Sequence, residues 1–303
     1  MMTRMLDVCR DGRMPTPHAR VPSIVEHPGA DTGGAVQAII CFVSDFGLDD
    51  TWVGVCHAVI HRACPQARVV DLGHHIPPFD IRKGATTAAA GVYQLPEAIH
   101  LVVVDPGVGA GRRDLCIVTA GGTRLVGPDN GVLLPAAWRA GGILEAYALD
   151  PLKIDFRGPL ATFHARDVLA PAAAALACDV EPSALGEPVD LGSLAEAPFG
   201  PCRVENGLVI GEVLEADRFG SMRFNIPGDE LARLGLSGSH LEFTIGHSTI
   251  RAPLARTYGE VDPGDPVALV DSSGWLSLAL NRDNAAERYG VEVGATVRVS
   301  THA

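Results

Sequence analysis

Short apolar runs alternate with amphipathic segments along the first half of the chain, and this alternation limits the possible folds more than any other feature. The runs cover residues 38–44, 67–73 and 98–105. Each is a short run rich in branched side chains, which indicates a strand, and the run at 38–44 indicates a buried one. Residues 51–64 and 81–96, which lie between the runs, have apolar side chains at helical spacing. Strands that alternate with helices predict a parallel sheet with helices packed on it.

The alternation changes character in the second half of the chain. Residues 115–121 and 124–129 predict two more strands, and an alanine-rich segment at 165–178 predicts a helix. Between residues 181 and 201, Pro, Gly and Ala follow one another with no sustained period, as in a connection between domains. From residue 202 onward, short strands at close spacing are separated by Gly, Pro and Asp turns, which predicts a smaller all-β domain.

The predicted organisation has two domains, as expected for a chain of 303 residues, since single hydrophobic cores stop growing near about 250–300 residues. We predict an α/β domain at 37–190, with a mostly parallel sheet flanked by helices. A barrel-like β domain is predicted at 202–303, and residues 191–201 are predicted to be the linker. Residues 1–36 are predicted to be a disordered extension.

Charge and composition argue against several classes of partner. The formal net charge is −12 and no Lys/Arg cluster is present, so nucleic acid is not expected as a partner, because its binding depends on neutralised phosphates. No apolar run is long enough to cross a bilayer, and the first residues lack the continuous apolar stretch of a secretory signal. The seven cysteines form no C-x-x-C pair and mostly lie in apolar segments, which predicts reduced, buried thiols in a cytoplasmic protein.

Familiar nucleotide and metal motifs do not fit the sequence. Gly107, Gly109 and Gly111 resemble a dinucleotide fingerprint, but Arg112 stands where the pattern requires glycine. The chain has no Walker lysine, no G-x-S-x-G and no H-E-x-x-H. His57 and His61 stand four residues apart, a spacing found in metal sites, but no carboxylate is close to them in the sequence. Surface or packing roles are therefore the simpler interpretation of this pair.

Acidic residues follow several of the predicted strands, among them Asp45, Asp71 and Asp105. Ligands of open α/β sheets bind beyond the carboxyl ends of the parallel strands, so several such positions together indicate a site, although turn formation explains any single one. Asp105 is the most informative, because a P-G-V-G turn follows it and Arg112 lies within reach. An Asp/Arg pair by itself is usually structural. His164, just before the alanine-rich helix, is by itself slightly more consistent with a helix-start role than with a site.

Six motifs occur in order along the chain. They are SDFGLDD at 44–50, VVDLGHHI at 69–76, VVDPGVGAGRR at 103–113, GPDNG at 127–131, TFHARD at 162–167 and DRFGS at 217–221. Together they closely resemble the S-adenosyl-L-methionine (SAM) hydroxide adenosyltransferases, a family related to the fluorinases and chlorinases. The C-terminal run from Tyr258 through SSGWLSLALN to AAERYG also fits, so the resemblance covers nearly everything after the N-terminal extension.

The resemblance implies an activity and an assembly. The activity is hydrolysis of SAM to adenosine and L-methionine by attack of activated water on the ribose 5′ carbon, with no metal and no redox cofactor. The family's water-activating trio falls on Asp105, Arg112 and His164. Arg112 is expected to lower the free energy needed to form a hydroxide-like nucleophile from water. Asp105 and His164 are expected to orient this water and to relay its proton. The implied assembly is a homotrimer whose active sites lie between one subunit's N-terminal domain and its neighbour's C-terminal domain.

Further matching positions imply substrate contacts in the first domain. Asp45 is expected to bind the ribose diol, because its two acceptor oxygens match two hydroxyls. Asp50 and Thr51 are expected close by. Phe79 is expected to form an aromatic wall against the substrate.

The second domain is expected to hold the methionine and adenine ends of the substrate. Asp217 is expected at the methionine ammonium, and Ser272 and Ser273 at its carboxylate. The DRFGS segment, which ends in Ser221, and Tyr258 are expected to frame the adenine.

Two residues depart from the family pattern. Ser221 stands where relatives usually have Asn, and one hydroxyl cannot replace both faces of an amide, so we predict a weaker or water-bridged adenine contact. Ala165 stands where hydrolases more often have Gly. Its methyl group is expected to narrow the nucleophile pocket slightly without changing the reaction class.

Three alternatives remain. A halogenase on the same scaffold requires neutral donors around a partly desolvated halide rather than a base, and the intact charged trio argues against it. A nucleoside-binding module with little turnover is a second possibility. A metallohydrolase built on Asp71, His74, His75 and Asp105 is a third, because histidines and carboxylates at strand ends can bind metal.

Overall fold

The structure is a computed structural model that describes residues 37–154, 163–236 and 238–302. The predicted extension at 1–36 lies outside the described residues. Helices and short strands alternate in the first half of the chain, and strands dominate the second half. The strands are β1 Ile39–Ser44, β2 Arg68–Gly73, β3 Ile99–Val103, β4 Asp114–Thr119, β5 Arg124–Pro128, β6 Ile143–Leu149, β7 Gly186–Pro188, β8 Arg203–Glu205, β9 Leu208–Ala216, β10 Met222–Pro227, β11 His240–Ile245, β12 Ser248–Pro253, β13 Pro266–Val270, β14 Trp275–Leu280 and β15 Thr296–His302. The helices are α1 Trp52–Ala63, α2 Ile81–Gln94, α3 Leu134–Arg139, α4 Ala170–Ala177, α5 Pro182–Leu185 and α6 Ala285–Tyr289.

The first seven strands form one sheet in the order β2-β1-β3-β5-β4-β6-β7. Strands β2, β1, β3 and β5 run parallel to one another. Strands β4, β6 and β7 complete the sheet in antiparallel pairing. The carboxyl ends of β1 and β3 are neighbours, because Ser44 pairs with Val103, and both strands are followed by predicted site residues.

The central strands β1, β3, β4 and β5 are buried on both faces, which explains their continuous apolar runs in the sequence. Side chains alternate between the faces: Phe42 packs in a cluster with α1 and α4, whereas Val43 packs in a second cluster with α2 and α3. The alanines of α2 and α4 allow these helices to lie close to the sheet. The strands are therefore held rigidly from two sides, and the residues at their ends are held with them.

The remaining strands form an antiparallel sheet in the order β12-β11-β15-β9-β10-β14-β13, with β8 added beside β9. A bridge between Leu254 and Ala268 brings the two edges together and nearly closes the sheet into a barrel. Phe224 and Phe243 stack at its centre with ring centroids 5.6 Å apart. The predicted fold class, an α/β domain followed by a smaller barrel-like β domain, is confirmed.

Several elements differ from the sequence prediction. Strands β6, β8, β10 and β12 and helix α3 were not predicted, although β10 alternates apolar Met222, Phe224 and Ile226 with polar residues. Part of the stretch predicted to lack regular structure forms α5 and β7, and β7 pairs with β6. The proposed domain bounds at 190 and 202 remain a prediction.

The cysteines also depart from expectation. Cys64 and Cys178, at the ends of α1 and α4, form a disulfide, so the prediction that the thiols are reduced is wrong for this pair. Sequence spacing gave no hint of it, because 114 positions separate the two residues. Cys41, Cys56, Cys116 and Cys202 are unpaired thiols. Burial raises the pKa of Cys41 to about 11, so its thiol stays protonated and unreactive near neutral pH.

No described helix has the length and apolar character needed to cross a bilayer.

Candidate active site

Asp105 lies just beyond the end of β3, and Arg112 returns to it after a glycine-rich turn. Gly109 and Gly111 adopt positive φ angles of 76° and 83° in this turn, a conformation that favours glycine. The Nε of Arg112 donates to Asp105 Oδ1 at 2.8 Å, and its Nη2 forms an ion pair with Asp105 Oδ2. Two guanidinium nitrogens therefore bind the two carboxylate oxygens, and this bidentate geometry fixes the orientation of both side chains.

A second carboxylate, not predicted from the sequence, extends this pair to His164. Arg112 Nη1 also forms an ion pair with Asp114 Oδ1, and Asp114 Oδ2 lies 2.8 Å from His164 Nδ1. The predicted trio is thus connected, but through Asp114 rather than by direct contact of His164 with the other two. We refer to Asp105, Arg112, Asp114 and His164 as the strand-end cluster.

The strand-end cluster is largely shielded from solvent. Side-chain exposure is 11% for Arg112, 7% for Asp105 and for Asp114, and 15% for His164. Burial works against the charged guanidinium, but the hydrogen bonds and charges of Asp105 and Asp114 outweigh it and raise the pKa of Arg112. Arg112 is therefore a permanent cation between two carboxylates.

His164 is positioned by the helix that follows it. A π-helical turn, Ala165–Leu169, leads directly into α4. Ala165 is buried in the core cluster of α1 and α4, so its side chain helps to fix the start of this turn. Phe163, on the other side of His164, contacts Phe46 edge to face with ring centroids 5.7 Å apart.

Asp45 and Phe79 are also brought together at the strand ends. Asp45 follows β1, and its Oδ2 accepts a hydrogen bond of 2.9 Å from the backbone nitrogen of Phe79. Phe79 has a φ of 69°, which strains a residue with a large side chain, and the residue is 68% exposed. The fold therefore presents an aromatic face beside a carboxylate. Asp50 and Thr51 are exposed just before α1.

Most of the site residues predicted in the second domain surround one cavity of about 350 Å³, which we call the barrel pocket. Asp217, Ser221, Tyr258 and Ser272 line it. Asp217 Oδ1 accepts hydrogen bonds from the backbone nitrogens of Phe219 and Ser221, which shapes the DRFGS turn. Ser273 does not line the pocket.

The barrel pocket contains a charge network that the sequence prediction missed. Arg223 forms ion pairs with Glu215 and with Asp271, and Lys83 of α2 forms an ion pair with Glu215. Arg223 and Glu215 lie directly opposite each other on β10 and β9. The alternation in β10 is the signal that could have revealed Arg223, but only together with the strand register.

The turn that carries Ser272 and Ser273 is held from below by the α/β half of the chain. Arg139 of α3 donates to the carbonyl oxygen of Gly274 at 2.8 Å, and its guanidinium lies 4.3 Å from the ring centroid of Trp275. Within the turn, Asp271 Oδ1 accepts from the backbone nitrogen of Ser273 at 2.8 Å. Asp271 thus joins the turn to the charge network.

The residues of the metallohydrolase alternative do not form one group. Asp71 Oδ1 lies 2.9 Å from His57 Nε2 and 3.0 Å from His74 Nε2, whereas Asp105 is bound to Arg112. Burial raises the pKa of Asp71, but the hydrogen bonds and charges of His74 and His57 outweigh it, so its pKa is lowered overall. Within the described ranges, no group of three or more His, Cys, Asp or Glu residues is arranged to hold a metal ion.

Comparisons with known proteins identify the family of this chain. The SAM hydroxide adenosyltransferase N-terminal domain matches residues 40–186, and the C-terminal domain of the same family matches residues 211–298. An (R)-S-adenosyl-L-methionine hydrolase of Salinispora tropica is 41% identical over 267 residues, which are 86% of this chain and 97% of that protein. A protein of the same name from Thermus thermophilus is 40% identical over 268 residues, 86% of this chain and 98% of that protein.

More distant relatives and a solved structure extend the comparison. A fluorinase of an Actinoplanes species is 27% identical over 290 residues, 86% of this chain and 97% of that enzyme. The crystal structure of an uncharacterized conserved protein from Thermotoga maritima superposes with a TM-score of 0.77 and 32% identity, covering 86% of this chain and 99% of that one. Two matching family domains and relatives about 40% identical over most of the chain lead to one conclusion: this chain belongs to the SAM hydroxide adenosyltransferase family.

Proposed function

We propose that this chain hydrolyses SAM to adenosine and L-methionine. The observation that carries the proposal is the strand-end cluster, in which Arg112 links two carboxylates and one of them is bound to His164. Such a group can accept a proton from water and stabilise the charge that results. The names of the relatives about 40% identical to this chain support the same reaction.

The reaction is a displacement at the ribose 5′ carbon. The oxygen of water forms the new bond to this carbon, the carbon–sulfur bond breaks, and its electron pair remains on the methionine sulfur as the positive charge of the sulfonium disappears. One proton of the water passes to His164 and from there to solvent. Arg112 supplies a fixed positive charge near the developing hydroxide, while Asp105 holds Arg112 in place. In-line positioning of the water is expected to contribute as much as the proton transfer.

The substrate contacts are proposed at two places in the chain. Asp45 is assigned to the ribose diol and Phe79 to the wall of the ribose site, with Asp50 and Thr51 at the rim. The barrel pocket is assigned to adenine and to the methionine end of the substrate. Ser273 is retained, with Ser272, as a proposed contact of the methionine carboxylate, because its turn adjoins the pocket through Ser272.

We further propose that the complete site forms between two copies of the chain in a homotrimer. The support is that the barrel pocket is lined by neither the strand-end cluster nor Asp45 nor Phe79, so the proposed reacting groups lie outside the cavity that contains most of the proposed recognition groups. Mixing two variants that are each impaired at a SAM concentration below KM tests this idea, for example His164→Ala with Tyr258→Ala. After exchange of subunits, about a quarter of the sites regain two intact halves if the site is composite. No recovery in mixtures that have exchanged contradicts the shared site.

A SAM-like small molecule is the only proposed ligand.

The cytoplasm is the proposed compartment. The free thiols at Cys41, Cys56, Cys116 and Cys202 support a reducing environment. The Cys64–Cys178 disulfide points the other way. Titration of thiols in protein purified under alkylating conditions shows which state the cell maintains.

Product analysis tests the proposed function. Purified protein is incubated with SAM, with and without chloride, and products are separated by chromatography. The names of the relatives specify an (R) form of S-adenosyl-L-methionine. Because L already describes the amino-acid centre, we take (R) to describe the sulfonium centre, and the two sulfonium epimers are therefore assayed separately. We expect adenosine and methionine in equal amounts, independent of chloride. A 5′-chloro nucleoside indicates the halogenase alternative, and binding without any product indicates the nucleoside-binding module.

A further inference from the structure

Asp114 is the only described carboxylate seen to contact His164, and it was absent from the predicted trio. Its Oδ2 lies 2.8 Å from His164 Nδ1, while its Oδ1 forms an ion pair with Arg112. Among the described residues, no hydrogen bond to His164 Nε2 is found. The two ring nitrogens are therefore in different surroundings, one bound to a carboxylate and the other directed elsewhere.

The contact with Arg112 decides where the hydrogen lies between Asp114 and His164. Because the guanidinium is a permanent cation in contact with it, the Asp114 carboxylate is ionised and can only accept hydrogen bonds. The hydrogen at His164 Nδ1 therefore belongs to the ring. A neutral imidazole carries a hydrogen on one nitrogen only, so Nε2 has the lone pair.

The backbone holds Asp114 firmly in this role. Asp114 is the first residue of β4 and pairs with Pro128 of β5, and the next residue, Leu115, is fully within the core. Arg112 Nη1 also donates to the carbonyl oxygen of Arg113 at 3.0 Å. The carboxylate cannot turn away without breaking its contacts with both Arg112 and His164.

We propose that Asp114 is a positioning residue for the reaction proposed above: it fixes the tautomer and orientation of His164 so that Nε2 can accept the proton of the attacking water. This inference rests on the proposed hydrolase function. Two carboxylates and one guanidinium leave the cluster with one net negative charge, which stabilises the imidazolium that forms as the water's oxygen bonds to the 5′ carbon. The proton then leaves Nε2 for solvent, and the neutral ring is restored.

Substitution of Asp114 by Asn, with a matched control, tests the kinetic part. An Asn side chain keeps the size but can offer its amide N–H to Nδ1, which favours the opposite tautomer. We expect Asp114→Asn to lower kcat about ten- to thousandfold with KM within about threefold. The control is Asp129→Asn. Asp129 is also shielded and bound to the neighbouring Arg113, with Nε donating at 2.8 Å, and its other hydrogen bond is from the backbone nitrogen of Ala195.

The control separates a positioning role from a structural one. We expect Asp129→Asn to retain kcat and KM within about threefold, since its contacts do not reach His164. An unchanged kcat in Asp114→Asn, or an equal loss of kcat in both variants, overturns the proposal.

Nitrogen-15 NMR of histidine-labelled protein tests the tautomer directly, without reliance on activity. The His164 signals are identified by their loss in His164→Gln. At a pH where the ring is neutral, we expect Nδ1 protonated and Nε2 unprotonated in the native protein, and a shift toward the other tautomer in Asp114→Asn. A protonated Nε2 with a bare Nδ1 in the native protein overturns the proposal.

The two readouts also distinguish this inference from the proposed function. If the native protein releases no adenosine from SAM, the hydrolase proposal fails, whereas the NMR result still decides the role of Asp114 in setting the tautomer. If circular dichroism shows that Asp114→Asn does not fold, the His164 tautomer measured by NMR in the native protein alone decides whether the proposed role of Asp114 holds.

Discussion

The strand-end cluster and the barrel pocket are both built around an arginine between two carboxylates, but they differ in the groups beside that arginine. In the cluster, Arg112 is joined to Asp105 and Asp114 on rigid elements of one domain, and all these side chains are nearly buried. In the pocket, Arg223, Glu215 and Asp271 are almost as shielded, but the surrounding wall includes Tyr258, which is 45% exposed.

This difference indicates a division of labour. The proposed reacting groups are held in one geometry before any substrate arrives, as electrostatic preorganisation requires. The proposed recognition surface is open, as expected if a ligand or a second copy of the chain completes it. Changes in the cluster should therefore affect mainly kcat, and changes in the pocket mainly KM.

The largest effect is expected from His164→Ala. Loss of the proton acceptor is expected to lower kcat about a hundred- to ten-thousandfold, while KM changes little because the substrate contacts remain. His61→Ala, which alters an exposed histidine on α1, serves as the control. Adenosine release under saturating SAM measures the effect, and unchanged turnover in His164→Ala would remove the proposed mechanism.

Arg112→Ala is expected to lower kcat by a factor similar to that of His164→Ala. It is also expected to destabilise the fold. It leaves Asp105 and Asp114 shielded without their cation, and breaking such a buried pair costs about 3–5 kcal/mol. Urea unfolding measures the loss. A variant as stable as the native protein would show that the two carboxylates have another partner.

The α/β domain is also expected to be the acid-sensitive half, because it contains a buried histidine. Burial lowers the pKa of His100 from 6.5 to about 4, despite its hydrogen bond to the Leu95 carbonyl. Above pH 6.5 the ring is neutral in both states, and below it only the unfolded chain gains the proton, so stability falls until about pH 4. The expected loss between about pH 7 and pH 5 is about 2 kcal/mol.

Comparison with His100→Asn isolates this contribution. The free energy of unfolding in urea is measured at both pH values for each protein. The variant is expected to lose about 2 kcal/mol less than the native protein on acidification, whatever its stability near neutral pH. Equal pH dependence in the two proteins would show that His100 titrates alike in the folded and unfolded states.

A smaller effect is expected from Arg223→Ala in the barrel pocket. Without the guanidinium, Glu215 and Asp271 repel each other, and the turn that carries Ser272 loses one of its supports, while the contact of Arg139 with Gly274 remains. We expect KM to rise about tenfold, or about 1.4 kcal/mol, with kcat nearly unchanged. Arg251→Ala, on the exposed side of β12, is the control. A large loss of kcat with constant KM would contradict the division between the two regions.

The smallest effect is expected from Ser221→Asn. The longer amide can both donate and accept a hydrogen bond, so it is expected to lower KM about threefold, within the range of one hydrogen bond. The kcat value is expected to stay the same, because Ser221 lies in the pocket rather than in the cluster. A raised KM would indicate that the amide does not fit the pocket of this chain.

The two regions also differ in how far the sequence could predict them. Asp45 and Asp105 were predictable, because the carboxyl ends of parallel strands meet at one edge and both residues follow apolar runs. Asp114 was not, because it begins an antiparallel strand whose direction the apolar pattern does not reveal. Glu215 and Arg223 are neighbours only through the register of β9 and β10, which a single sequence does not specify.

The most direct test of the central claim is hydrolysis in water enriched in oxygen-18, followed by mass spectrometry of the adenosine formed. If water bonded to the strand-end cluster attacks the ribose 5′ carbon, the label enters the 5′ hydroxyl of adenosine and is absent from methionine. Adenosine without the label would contradict attack of water at this carbon.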